Sequence, residues 1–165
     1  MQVPAAPRFK PSVTVAAIIE REGRFLLVEE HTPEGLKLNN PAGHLDPGES
    51  PTQGCARETL EETAHHFTPT HLVGVYLSRF ERMRDGVKED ITYLRFAYCG
   101  DLGLHLPDQP LDHGIERTLW MTEAEIRASE SRHRSPLLLQ CLDDYLAGQR
   151  FPLDVVFTDA SIYGV

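Results

Sequence analysis

The sequence predicts a single domain of the α/β or α+β class, because segments with strand composition and amphipathic helical segments mix along its 165 residues. A chain of this length can bury a core without disulfides or structural metals. Apolar residues make up 41% of it, and no apolar run approaches the ~20 residues that a membrane-spanning helix needs. We expect a flexible tail at 1–10, the domain at 11–156 and a second tail at 157–165.

Strand composition dominates the first two thirds of the chain. The segments SVTVAAII at 12–19 and RFLLVE at 24–29 flank the turn-like EREG, which predicts a hairpin. The polar sequence at 31–41 predicts a loop. Two longer strands are predicted at 71–80 and 91–99, with the charged sequence ERMRDGVKED as the loop between them.

Helical signals become frequent in the last third. The segment 101–114 is rich in proline and glycine, so no single regular element is expected there. A short strand is predicted at IERTLWM, followed by a helix that Thr122 caps with Glu125 three residues on. A last helix is predicted within 135–149, from its Ser-Pro start and its apolar stripe.

An unusually acidic helix is predicted to start at Ser50. Ser50 is the expected N-cap, Pro51 takes the first helical position and Gln53 completes a capping box. A rotation of about 100° per residue places three carboxylates and one imidazole on one face: Glu58, Glu61, Glu62 and His65. The opposite face is expected to be buried and consists of Ala56, Leu60, Thr63 and Phe67.

Three carboxylates on one helical face repel one another unless a cation lies between them. Hard divalent cations such as Mg²⁺ bind carboxylate oxygens together with phosphate oxygens and water. The formal net charge of −9 argues against nucleic acid or an anionic membrane as the main partner, and a phosphate substrate would need such a cation to approach. The alternative interpretation is a solvated acidic face without a ligand.

The spacing of six residues resembles the Nudix box, the signature of the Nudix hydrolase family: Gly43, Glu49, Arg57, Glu58, Glu61 and Glu62. The chain departs from the family pattern at Thr59, Ala64 and His65, where no metal-binding carboxylate is expected. Beyond the box, most of 9–156 resembles the NudJ phosphatase subgroup, in which Pro-Ala-Gly-His precedes the box, as it does at 41–44 here.

The family resemblance implies an α/β/α sandwich with a central mixed β-sheet, and hydrolysis of a diphosphate that is linked to another group. It implies magnesium, or manganese, as the cofactor. The subgroup resemblance implies phosphate release from nucleoside di- and triphosphates and from the pyrophosphate of the thiamine pyrimidine precursor. Two alternatives stay open: an ADP-ribose-type pyrophosphatase, and a Nudix-fold nucleotide-binding regulator without catalysis.

The resemblance also implies roles for the residues of the box. Glu61 and Glu62 are the expected main metal ligands, and Glu58 is a further ligand or the base that acts through a bound water. A backbone carbonyl, at Ala42 or Gly43, is expected to complete the coordination.

Arg57 is expected to pair with Glu49 or with a glutamate of the helix, which would hold the preceding loop against the helix. The candidate catalytic residues are therefore Glu58, Arg57 and Glu61. His44, next to the predicted metal loop, is a further candidate for a phosphate or water contact.

An additional acidic residue is expected outside the helix. Many family members carry one just before the isoleucine of an I-x-x-x-x-W strand, but here a glycine precedes Ile115. Asp112 and Glu116 are the nearest substitutes, and Glu89–Asp90 is a third option. Trp120 and Tyr76 are candidates for stacking on a base, although either residue type is more often part of a core.

Two features indicate a cytoplasmic protein. The N-terminal sequence lacks the apolar core of a signal peptide. The three cysteines have no paired spacing, which is typical of small core residues in a reducing compartment. We expect a small nucleotide or diphosphate as the partner, with no nucleic acid and no membrane, and the sequence leaves monomer and dimer open.

Overall fold

The computed structural model describes residues 8–164. Eight strands and three α-helices follow one another in the order β1 (Ser12–Ile18), β2 (Glu20–Arg21), β3 (Arg24–Thr32), β4 (Gly35–Asn39), β5 (Ala42–His44), α1 (Pro51–Thr63), β6 (His65–Arg84), β7 (Val87–His105), β8 (Ile115–Thr122), α2 (Glu123–Ala128) and α3 (Leu137–Leu146).

The first sheet has the strand order β5-β1-β7-β6. Strand β1 runs parallel to β7 and antiparallel to β5, so the predicted mixed sheet is confirmed. Thr14 on β1 lies opposite both His44 on β5 and Arg95 on β7. Because residues in register share a face of the sheet, these three side chains form one row.

The second sheet is antiparallel and contains β2, β3, β4 and β8, with β3 paired to both β4 and β8. The predicted hairpin between 12–19 and 24–29 is therefore wrong for its long strands, because only the short β2 pairs with β3 across the turn. Strand β1 instead runs through the centre of the first sheet, where Val15 to Ile18 are all buried. Such continuous burial is typical of a strand that is covered on both faces.

Two segments predicted as loops form strands. Within 31–41 the structure has β4, whose Leu38 is completely buried. The sequence ERMRDGVKED forms the tip of the β6–β7 hairpin, which turns at Asp85 and Gly86, both with positive φ. Its charges pair across the two strands, as Arg79 does with Asp90 at 2.7 Å. Such ion pairs let polar residues extend a hairpin beyond the core.

Helix α1 starts as predicted. The Ser50 side chain accepts a hydrogen bond from the Gln53 N–H, and the Gln53 side chain accepts one from the Ser50 N–H at 2.8 Å. Ala64 has a left-handed conformation (φ 56°) and ends the helix. Phe67 and His65 consequently lie on β6 rather than on the helix.

The predicted faces of α1 are only partly correct. Cys55 and Thr59 point into the protein, whereas Ala56 and Leu60 are half-buried. Burial of Thr59 is possible because its hydroxyl donates to the Cys55 carbonyl at 2.8 Å, which leaves no polar group unsatisfied. The acidic face is also enclosed, because Glu58 is only 8% exposed.

The helices cover both sides of the sheets. Helix α1 packs with one core cluster through Cys55, and α3 packs with the other through Leu138 and Cys141. This arrangement is the expected α/β/α sandwich. Helix α2 begins at the predicted Thr122 cap with its capping box. Within the described part of the chain, no helix combines the length and apolar character that crossing a membrane requires.

The proposed division into a domain and two tails remains a prediction. Residues 1–7 of the predicted tail at 1–10 lie outside the described residues, and 8–10 have no regular structure. The predicted tail at 157–165 contains a short 3₁₀ helix, Ala160–Gly164.

Candidate active site

Arg57 connects helix α1 to the loop that precedes it. Its Nε donates to Glu49 Oε2 at 2.9 Å and its Nη2 donates to Glu49 Oε1 at 2.7 Å, which is a two-point contact between guanidinium and carboxylate. Nη2 also donates to the His44 carbonyl at 3.0 Å. The predicted pairing of Arg57 with Glu49 is thus present in the structure. Although burial opposes it, hydrogen bonding to Arg57 leaves the pKa of Glu49 below its usual value.

The same guanidinium also contacts two carboxylates of the helix. Arg57 Nη1 donates to Glu58 Oε1 at 2.9 Å and to Glu61 Oε2 at 3.0 Å. The hydrogen bond to Glu49 is the largest reason that the pKa of Arg57 is raised, and Glu58 adds to it. Arg57 therefore stays charged and draws three carboxylates towards one point.

Two glycines make room for these carboxylates. A Cβ atom at Gly43 would lie 2.1 Å from the Glu58 carboxyl carbon, and one at Gly54 would lie 2.7 Å from Glu49 Oε1. Gly43 is the first residue of the predicted box, and its physical role is to let the Glu58 carboxylate lie against the backbone. Gly54 was not among the predicted site residues, although it lies one helical turn before Glu58 in the sequence.

Three carboxylates converge beside Arg57. Oxygens of Glu58, Glu61 and Asp112 all lie within 4.8 Å of one another. The Asp112 N–H donates to the Glu61 carbonyl at 2.9 Å, which fixes the segment after β7 against the end of α1. A set of three oxygen donors fits Mg²⁺ or Mn²⁺ and does not suit metals that prefer sulfur or nitrogen.

The structure separates the candidates for an acidic residue outside the helix. Asp112 joins the cluster. Glu116 instead contacts His31, with 2.8 Å between Glu116 Oε2 and His31 Nε2. Glu89 and Asp90 lie on the β6–β7 hairpin, where they pair with arginines.

Glu62 lies apart from this set of three and is almost fully buried. Its Oε2 accepts a hydrogen bond from the Ala42 N–H at 2.8 Å. Burial raises the pKa of Glu62 to about 9, and the Ala42 hydrogen bond offsets only part of that effect. Burial likewise raises the pKa of Glu58, against the opposing influence of Arg57. The role of Glu62 as a metal ligand remains a prediction.

The backbone of β5 favours one of the two predicted carbonyl ligands. The Pro41 carbonyl and the Leu45 N–H bond to β1, at 2.9 and 3.1 Å, whereas the Ala42 N–H and the His44 carbonyl bond to side chains of α1. Successive residues of a strand direct their backbone groups to opposite sides. The Ala42 carbonyl therefore faces α1, and the Gly43 carbonyl faces β1.

The burial of Glu62 leads to a prediction for the metal-free protein. A carboxyl group whose pKa is higher in the folded than in the unfolded state binds more protons when folded, so its contribution to stability is lost as pH rises. Between pH 4.5 and about 9, the free energy of unfolding should therefore decrease, by up to ~1.4 kcal/mol per pH unit. Glu62→Gln should flatten this dependence, as measured by urea unfolding in a chelator. An unchanged slope would contradict the prediction, and Glu22→Gln, at an exposed position outside the cavity, is the control.

A cavity of about 870 Å³ opens next to the carboxylates. Glu58, Glu62 and Asp112 line one part of it, and the β6–β7 hairpin overhangs another part with Phe80 and Tyr93. These two rings stack, with centroids 5.5 Å apart and planes at 20°. The cavity is large enough for a small nucleotide.

The aromatic candidates of the sequence analysis have other positions. The Tyr76 hydroxyl donates to Asp144 Oδ2 at 2.8 Å, and Trp120 packs against the core cluster next to α1. The aromatic side chains that line the cavity are instead Phe80 and Tyr93. Both residues lie within the strands predicted at 71–80 and 91–99, but no local signal in the sequence shows that these strands carry them to the carboxylate-lined cavity.

A family model and curated relatives match most of this chain. The NUDIX domain model matches residues 8–141. Phosphatase NudJ of Escherichia coli strain K12 is 38% identical over 149 residues, which cover 90% of this chain and 92% of that protein, and Phosphatase NudJ of Shigella flexneri gives the same values.

Solved structures show the same fold. A Nudix hydrolase from Nitrosomonas europaea superposes with a TM-score of 0.81 at 49% identity, over 91% of this chain and 98% of that one. A MutT protein from Methanosarcina mazei Go1 has a TM-score of 0.65 at 23% identity, over 87% of this chain and 100% of that one, and shows the fold alone. The predicted Nudix fold is thereby confirmed, and the chain belongs to the Nudix hydrolase family.

Proposed function

We propose that this protein is a magnesium-dependent phosphatase of small nucleoside di- and triphosphates or related diphosphates, such as the pyrophosphate of the thiamine pyrimidine precursor. The observation that carries the proposal is the convergence of Glu58, Glu61 and Asp112, of which Glu58 and Asp112 line a nucleotide-sized cavity. The resemblance to proteins named Phosphatase NudJ supports phosphate as the released product. We further propose that the protein acts in the cytoplasm on small molecules.

Glu58, Glu61 and Asp112 would hold the cation, with the Ala42 carbonyl and Glu62 as additional ligands. When bound, the cation supplies neutralisation of phosphate oxygens and activation of water. Arg57 keeps the carboxylates in place through its contacts with Glu58 and Glu61.

Glu58 would bind the cation or, in its alternative role, act as the base through a bound water. Gly43 allows its carboxylate to lie against the backbone, and burial keeps its pKa above the ordinary value. A base with a raised pKa retains a proton more readily once it has taken it from water. The stacked rings of Phe80 and Tyr93 offer a surface for the organic part of the substrate.

A substrate panel tests the proposal. Nucleoside tri- and diphosphates, the thiamine-precursor pyrophosphate and ADP-ribose are incubated with magnesium, and orthophosphate and pyrophosphate are quantified separately. We expect orthophosphate release that stops in excess chelator, because a chain of net charge −9 needs the cation to hold a polyphosphate.

Each alternative function has its own outcome in this panel. Pyrophosphate plus monophosphate as the only products would contradict the phosphatase proposal, and cleavage of ADP-ribose alone would indicate the ADP-ribose-type enzyme. Nucleotide binding without turnover of any substrate would indicate a regulator. Full turnover in excess chelator would contradict the role of the cation.

A further inference from the structure

Arg95 is a buried cation that the catalytic proposal does not use. It lies in the middle of the apolar sequence ITYLRFAYC on β7 and is only 7% exposed. Its Nε and Nη1 atoms are buried and have no hydrogen-bond partner among the described residues. The guanidinium also contacts the Cys141 side chain, which leaves Nε and Nη1 unsatisfied. Burying unsatisfied N–H groups of a charged side chain is costly, and an anion in the cavity would satisfy them.

The position of Arg95 places it within reach of the substrate. Arg95 lines the same cavity as Glu58 and Asp112. It is in register with Thr14 on β1, which in turn is in register with His44 on β5. Two strand spacings separate β5 from β7, so Arg95 lies about 10 Å across the sheet from the strand that borders α1. Arg95 therefore lines the cavity from β7, whereas the carboxylates line it from α1 and from the segment after β7.

The groups around Arg95 favour a negatively charged ligand. The Thr14 hydroxyl also lines the cavity and has no partner. Arg134 lies at the same wall, together with Pro136 and Leu137 at the start of the ten-residue helix α3. The N-terminus of a helix carries a partial positive charge that attracts anions.

A nearby carboxylate does not neutralise this positive charge. Glu30 also lines the cavity, and its Oε1 lies 3.5 Å from Arg134 Nε. The same oxygen accepts a hydrogen bond from Asn39 Nδ2 at 3.3 Å. Burial raises the pKa of Glu30 and Arg95 opposes that rise through space, but among residues 8–164 no carboxylate forms an ion pair with Arg95. Glu30 is therefore shared by two guanidinium groups, and one positive charge remains in excess.

We propose that Arg95, with Thr14, Arg134 and the N-terminus of α3, forms a second anion-binding site that holds a phosphate group other than the one attacked at the carboxylate cluster. The existence of the site stands on the geometry above, whereas the identity of the anion rests on the proposed function. The site gives the substrate two attachment points, because the cation binds the attacked phosphate and Arg95 binds another.

The site can be tested without turnover. Binding of inorganic pyrophosphate is measured by calorimetry in excess chelator, so that the carboxylate cluster holds no cation. We expect Arg95→Met to weaken binding at least ~10-fold, because a charge-assisted contact is lost, and Arg95→Lys to weaken it less. Arg24→Met is the matched control, since it removes an exposed arginine that pairs with Glu125. It should leave pyrophosphate binding unchanged.

A second variant covers the case in which Arg95→Met does not fold. Arg134 is one-third exposed, so Arg134→Met should fold, and we expect it to weaken pyrophosphate binding at least ~3-fold. Equal binding by the parent, Arg95→Met and Arg134→Met would overturn the proposal. So would the absence of pyrophosphate binding in the parent, or a loss in Arg95→Met of adenosine binding but not of pyrophosphate binding.

Kinetics then connect the site to the proposed function. With a nucleoside triphosphate and magnesium, Arg95→Met should raise KM at least ~10-fold and change kcat by less than ~3-fold, because Arg95 binds a phosphate that does not react. A fall in kcat at unchanged KM would overturn this role. Arg95-dependent pyrophosphate binding in a parent that hydrolyses nothing would refute the proposed function and leave the anion site in place.

Discussion

Glu61→Gln should lower turnover at least ~100-fold, because it removes one of the three carboxylate oxygens that converge with Glu58 and Asp112. A neutral amide keeps the shape of the side chain but loses the charge that a divalent cation requires. Turnover is measured with the best substrate of the panel at saturating magnesium. Retained turnover would mean that the glutamates form a solvated acidic face.

The same variant should remain folded. The variant loses the helical ion pair between Glu61 Oε2 and Arg57 Nη1, which lie 3.0 Å apart in the parent. Such a pair contributes ~0.3–0.5 kcal/mol. The loss is offset by ~0.2–0.5 kcal/mol, because the repulsion between neighbouring carboxylates of the helix also disappears. In chelator, the free energy of unfolding should therefore change by less than ~0.5 kcal/mol.

Melting in the presence of magnesium separates the two interpretations of the acidic face. If Glu61 binds the cation, magnesium should raise the melting temperature of the parent more than that of Glu61→Gln, since a ligand that binds only the folded state stabilises it. Glu22→Gln removes an exposed carboxylate that does not line the cavity and should behave like the parent. An equal magnesium effect in all three proteins would contradict metal binding by Glu61.

Much of the candidate site could be predicted because its signals are local in the chain. The capping box at Ser50, the Pro51 start and the glutamate spacing lie within 13 residues of one another. The structure contains both hydrogen bonds of the capping box and the pairing of Arg57 with Glu49. Helix geometry alone then brings Glu58 and Glu61 together. Even so, the buried face of α1 was predicted only in part: Thr63 is buried as expected, but so is Thr59, which bonds its own helix and packs like an apolar residue.

The remaining parts of the site depend on contacts between distant segments. Asp112 could not be chosen over Glu116 from the sequence, because the choice depends on a backbone hydrogen bond to Glu61, 51 positions earlier. Likewise, β1 pairs with β5 and β7 in a sheet that is covered on both faces, and the turn next to β1 does not reveal these partners. For Arg95 a signal was available, since an arginine within the apolar strand sequence ITYLRFAYC is unusual.

Replacement of Arg57 should have the largest effect on both stability and activity. Arg57→Met leaves Glu49, Glu58 and Glu61 without the guanidinium that they share. Removing one partner of a largely buried ion pair costs ~3–5 kcal/mol, and we expect the lower end because Arg57 is 26% exposed. Turnover should fall at least ~100-fold, because the loop at β5 and the carboxylates lose their common anchor.

A conservative variant separates charge from geometry at this position. Arg57→Lys keeps the positive charge but cannot make the two-point contact with Glu49 and the simultaneous contact with the His44 carbonyl. We expect an intermediate loss of ~1–2 kcal/mol and a turnover at least ~10-fold below the parent. Arg24→Met, whose ion pair with Glu125 is exposed, should stay within ~0.5 kcal/mol of the parent.

The pH dependence of the Arg57→Met defect tests whether its cause is the unpaired carboxylates. Arg57 lowers the pKa of Glu49, so the folded state binds fewer protons there than the unfolded state does. The stability that this contact contributes is therefore fully present above pH 4.5, the ordinary pKa of a glutamate. It is lost as pH falls through the lowered pKa of the folded state. The stability difference between parent and Arg57→Met, measured by urea unfolding in chelator, should accordingly shrink on acidification below pH 4.5. A difference that stays constant would indicate lost packing of the arginine side chain, and the electrostatic account of this site would be wrong.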